Sequence, residues 1–112
     1  MKRLLVVGAL VAALAAPAVA SAFTGWHWTV SSAQRTLERQ GIGWSNQSGR
    51  DLVTNAKCAG IGVSWEDGGV VRFARFRCLV DAINPQGESE RYYVRVKVTG
   101  KRSFSTTFLR FV

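Results

Sequence analysis

The chain has few of the side chains that perform chemistry. Its one histidine is His27, its two cysteines are Cys58 and Cys78, and its seven acidic residues are scattered. Catalysis needs a base or nucleophile with a positioned partner, and that supply is thin here. No Gly-x-Ser-x-Gly elbow is present, so a serine nucleophile has no strained turn to sit on. Glu66-Asp67 falls in a turn, Asp81, Glu88 and Glu90 flank another, and Glu38 and Asp51 stand apart, which leaves no paired acid/base site. The same scatter offers no ligand spacing for zinc or calcium, and Gly60-Ile61-Gly62 lacks the strand-to-helix setting of a phosphate loop. No catalytic residue, metal or cofactor is therefore expected, and a small hydrolase using His27 ranks last among the functional readings.

Internal repeats and low-complexity segments are also missing, and the one long apolar run is at the start. Lys2-Arg3, the stretch Leu4 to Val19 and then Ala20-Ser21-Ala22 read as a cleavable export signal. The competing reading is an uncleaved anchor. Only 16 residues separate Arg3 from Ala20, whereas a spanning helix needs about 20. Pro17 and the small residues after it suit a cleavage site, and no cysteine lies nearby to carry a lipid. The expected division is a signal peptide over 1–22 and a single small α+β domain over 23–112, secreted or periplasmic, with no stable membrane span after cleavage.

Removing Lys2 and Arg3 from the 15 basic residues leaves 13 against seven acidic ones, a formal charge of +6 on the 90 residues from Phe23 to Val112. Ten of the 13 are arginines. Arginine's planar fork suits carboxylates and phosphates, so an acidic protein or an anionic envelope polymer is the expected partner class, with solubility alone as the plainer reading. Nucleic acid fits the charge but not export. In an oxidising compartment Cys58 and Cys78 read as a structural disulfide.

Val30, Ala33 and Leu37 share one helical face, so a helix is expected over about 29–40. Ser31 with Gln34 has the spacing of a capping box, Thr29 is a rival cap, and Gly41 suits the C-terminal end. Beyond it the period becomes two. Turns at Asp67-Gly68-Gly69, Asn84-Pro85-Gln86-Gly87 and Thr99-Gly100-Lys101-Arg102 imply four strands, at about 51–65, 70–81, 89–99 and 103–111.

Cys58 and Cys78 are equidistant from Gly68, the middle of a three-residue turn, so disulfide and turn propose one register. Pairing about Gln86 sets Cys78 opposite Val94 and Phe76 opposite Val96, and pairing about Lys101 sets Val98 opposite Phe104. One face then collects Leu52, Ala56, Cys58, Ala74, Phe76, Val80, Val94, Val96, Phe104 and Phe108 as core, with Gly60 leaving room for the Phe76 ring. Near the first turn the opposite parity is apolar, at Ile61, Val63, Trp65, Val71 and Phe73, which means either an exposed apolar tip or, the preferred reading, a bulge at Gly60 or Gly62 that flips the faces.

The wet face would gather Arg75, Arg77, Tyr93, Arg95 and Lys97, with Ser105 and Thr107 beside them. These form either a basic platform for an anionic ligand or the plain solvated side of a one-sided sheet. Four tryptophans in so short a chain read either as binding anchors, with Trp65 near a hairpin tip and Trp26-His27-Trp28 near the mature terminus, or as residues closing a small core.

The expected fold is α+β, with an N-terminal helix packed on a curved four-stranded antiparallel meander and one cross-strand disulfide. This order of elements resembles the cystatin-type roll and the repeat unit of the secreted β-lactamase inhibitor proteins. The resemblance implies architecture only, because the cystatin Gln-x-Val-x-Gly hairpin is absent and no functional residue carries over. Cys58-Ala59-Gly60-Ile61-Gly62 followed by Phe76-Arg77-Cys78 is also similar to small exported bacterial domains of unassigned role. The leading expectation for function is a non-catalytic binding domain using Arg75, Arg77, Tyr93, Arg95 and Lys97, and the alternative is a secreted inhibitor that inserts the Trp65 hairpin or the Trp26-His27-Trp28 segment into an enzyme cleft.

Overall fold

The computed structural model describes residues 25–112. The expected signal peptide, and its boundary at residue 22, lie outside them. Helix α1 spans Val30–Gln40 and is followed by strands β1 (Ile42–Gly43), β2 (Arg50–Asp67), β3 (Val70–Ile83), β4 (Ser89–Val98) and β5 (Phe104–Phe111). The strands form one antiparallel sheet in chain order, curled around a single core.

Of the two candidate caps the helix uses Thr29, whose extended backbone places Oγ1 to accept from the Ser32 amide at 3.1 Å. Gly41 ends the helix by donating its amide to the Leu37 carbonyl at 2.8 Å. Ala33 and Leu37 are fully buried. The polar side of α1 is used as well. Gln34 Oε1 accepts from the Cys58 amide at 3.0 Å, and Glu38 Oε2 accepts from the Ala56 amide at 3.2 Å. A four-residue helical step rises about 6 Å, close to the roughly 6.6 Å between alternate strand residues, so the two side chains match the open edge of β2 and cover it.

The sheet has five strands rather than the four expected. The extra one, β1, pairs Ile42 with Asp51 and Gly43 with Arg50, and a two-residue strand is too short to show a period. The disulfide register holds: Cys58 faces Cys78 and is bonded to it, Cys78 faces Val94, and Phe76 faces Val96. The hairpin turn itself is shorter than expected. Asp67 pairs with Val70 around Gly68 and Gly69, whose φ values of 60° and 82° are those a tight two-residue turn requires. The odd residue is absorbed at a bulge where Gly62 and Val63 oppose Ala74, with Gly62 at φ 77°.

That bulge turns Phe73 onto the core face. Its ring, and not the expected Phe76 ring, lies over Gly60, where a Cβ would run into it. The Phe73 and Phe76 rings meet with centroids 5.8 Å apart. A second bulge at Thr54 reverses the start of β2, so Val53 is buried and Leu52, expected in the core, is 60% exposed. Thr54 Oγ1 donates to the Asp81 carbonyl at 3.2 Å beside this break in the ladder. Phe108 is a further departure from the expected core, lying 41% exposed at the end of the sheet.

Candidate functional site

Strands β3 and β4 alternate cleanly where they pair. Phe76, Cys78, Val80, Val94 and Val96 point into the core, so Arg75, Arg77, Arg95 and Lys97 point outward. The register sets Arg77 directly opposite Arg95 and Arg75 directly opposite Lys97, with Thr107 and Ser105 next on β5. All four cations are exposed. Like charges facing each other across a ladder are destabilising. Among the described residues the one ion pair is Arg91–Asp81, at 2.6 Å on the far end of the same strands. It holds the Asp81 carboxyl below its usual range, chiefly through the hydrogen bond from Arg91. The four central cations have no such partner. A shallow depression of about 460 Å³ lies among Arg75, Arg95, Lys97, Ser105 and Thr107.

Tyr93 is half-buried between two guanidiniums, with Arg77 Cζ 5.0 Å and Arg110 Cζ 4.5 Å from its ring centroid. Arg110 is a member of this face that sequence reasoning missed. A register shift between Tyr93 and Val94 brings Arg110, rather than Leu109, opposite Tyr93. The signal was there in the adjacent apolar pair Phe108-Leu109, which breaks the period of two.

Trp65 does not join the platform. It stands beyond the Gly62–Val63 bulge, opposite Arg72, half-buried with its ring edge-on to His27 at 4.9 Å. Trp28 is buried, bridges Phe73 through backbone hydrogen bonds of 2.8 and 2.9 Å, and donates Nε1 to the Lys101 carbonyl at 3.1 Å. It closes one end of the core. Trp26 is half exposed. Among the described residues no three His, Cys, Asp or Glu side chains gather closely enough to hold a metal ion, and no helix is long and apolar enough to cross a membrane. No family model, curated protein or solved structure matches this chain.

Proposed function

We propose that the protein is an exported, non-catalytic binding domain whose outer sheet face holds an acidic protein or an anionic envelope polymer. One observation carries the reading: Arg77 faces Arg95, and Arg75 faces Lys97, with no carboxylate among them. A sheet gains nothing in stability from that arrangement, whereas an incoming anion is met by several arginine forks at once. Ser105 and Thr107 add neutral donors at the edge, and Tyr93, already held between Arg77 and Arg110, offers a rigid flat contact.

Charge reversal separates binding from folding. The double variant R95E/K97E should lose salt-sensitive capture of an acidic partner while its melting temperature holds or rises, because the repelling pairs become attractive ones. Undiminished capture would refute the reading. A partner retained at every salt concentration and released by W65A would instead assign binding to the hairpin, whose tip exposes Val63, Val70 and Val71.

Export is part of the same proposal. The Cys58–Cys78 disulfide is consistent with an oxidising, exported environment, and an N-terminus at Phe23 in protein recovered outside the cytoplasm would establish it. The order of helix and meander also supports a cystatin-like roll as the architectural parallel.

A further inference from the structure

At the end of the core away from Trp28, a cavity of about 290 Å³ opens beside Asp51. Asp51 is only 2% exposed, and three hydrogen-bond donors surround its carboxylate. Trp44 Nε1 at 3.0 Å and Tyr92 OH at 2.7 Å donate to Oδ2, and Gln47 Nε2 donates to Oδ1 at 2.9 Å. Every partner supplies a hydrogen, and none supplies a positive charge. No lysine, arginine or histidine lies within ion-pair distance of Asp51 among the described residues. A buried carboxylate with its hydrogen bonds met and its charge unanswered is an uncommon expense in a small domain.

The walls fit the missing charge. Trp44, Tyr92, Phe108 and Phe111 form a connected aromatic cluster, with centroid separations of 6.2 Å for Trp44–Phe108, 5.8 Å for Tyr92–Phe108 and 4.9 Å for Phe108–Phe111. Phe108 and Phe111 are 41% and 59% exposed, so two phenyl rings meet water at the mouth. Among the described residues the only other charged side chain lining the cavity is Glu90, which accepts from Asn84 Nδ2 at 3.2 Å and also has no cationic partner there.

We propose that this cavity binds the quaternary ammonium head of a small organic cation, with the aromatic faces as its walls and Asp51 and Glu90 as its counter-charge. An anion would meet two carboxylates. A neutral apolar ligand would strip water from them without compensation. A bare metal ion would find too few oxygens, because the hydrogen-bond donors already occupy most of the Asp51 lone pairs. The same occupancy disfavours a primary ammonium, which needs three acceptors. A quaternary ammonium needs none: it requires ring faces within about 6 Å and a nearby negative field. The site is independent of the basic sheet face.

The test is titration of the intact protein with choline and, in parallel, with its neutral isostere 3,3-dimethylbutan-1-ol, followed through the Trp44 indole N–H resonance. Choline should bind saturably and at least tenfold more tightly than the alcohol. F111A, at an exposed position that leaves the core intact, and E90Q should each weaken choline severalfold, and D51N should weaken it most. Phosphatidylcholine vesicles distinguish a lipid headgroup from a free cation, since only a headgroup site would hold the protein on them. Equal affinity for choline and the alcohol, undiminished choline binding by F111A, or no response to choline or vesicles would overturn the proposal.

Discussion

Tyr92 shows how much one side chain carries here. It is 1% exposed, its ring meets Trp44, Phe108 and Phe111, and its hydroxyl donates to Asp51 at 2.7 Å. Burial, and secondarily the Asp51 carboxylate, push its ionisation above the ordinary tyrosine value near 10. The folded state therefore keeps this proton more firmly than the unfolded chain does. Its contribution to stability is fully present below about pH 10 and is lost as the pH rises further. Urea titrations at increasing alkaline pH should show that loss, and Y92F should remove that part of the pH dependence. The same variant, by leaving a buried acceptor short of one donor, should cost about 1–3 kcal/mol at neutral pH. An unchanged alkaline slope in Y92F would contradict this account.

Residues that alternate regularly were legible from sequence. Arg75, Arg77, Tyr93, Arg95 and Lys97 fall where a period of two puts them. The Asp51 cluster was not legible, because its members come from the segment after β1, the start of β2 and the middle of β4. Tyr92 and Asp51 are 41 residues apart. No local pattern links them, and Asp51 read alone is an isolated acid.

At the scale of elements, the register rests on the covalent link between β2 and β3. Cysteines 20 positions apart close a loop that on the chain-entropy estimate stabilises the fold by about 3 kcal/mol. Replacing both, as C58A/C78A, should lower the urea midpoint accordingly with a slope that is little changed or slightly steeper, since the released chain exposes more surface when unfolded. A midpoint within error of the parent would show that the hairpin holds its register unaided. The equal spacing of the cysteines about Gly68 anticipated their pairing even though the turn proved one residue shorter, because the bulge opposite Ala74 makes up the difference. Bulges account for most of what the sequence pattern got wrong: Thr54 sends Leu52 outward, Gly62–Val63 brings Phe73 inward, and the shift beyond Val94 adds Arg110 to the outer face. Each inserts a residue that a strict period cannot register. Strand β1 escaped for a different reason, being held by the β2 edge rather than by any preference of its own.

At the scale of the molecule, charge is segregated between the two sides of one sheet. The centre of the outer face carries Arg75, Arg77, Arg95 and Lys97 with no acid among them, Asp81 being paired with Arg91 at its far end, while the end of the core presents Asp51 and Glu90 within aromatic walls. Like charges facing each other cost the outer face some stability, and under the proposed function an acidic partner would relieve that repulsion. Overall charge has the same sign as the outer face, so under the proposed function long-range attraction would add to the capture of an acidic partner.

The most direct measurement is a titration of poly-L-glutamate into the wild-type protein and into R95E/K97E over a range of sodium chloride concentrations, with melting temperatures recorded alongside. Wild-type affinity should fall steeply with salt, the variant should lose that affinity, and the variant should melt no lower than its parent. Equal, salt-insensitive affinities for the two proteins, or a variant that fails to fold, would contradict the claim that these cations are placed for binding.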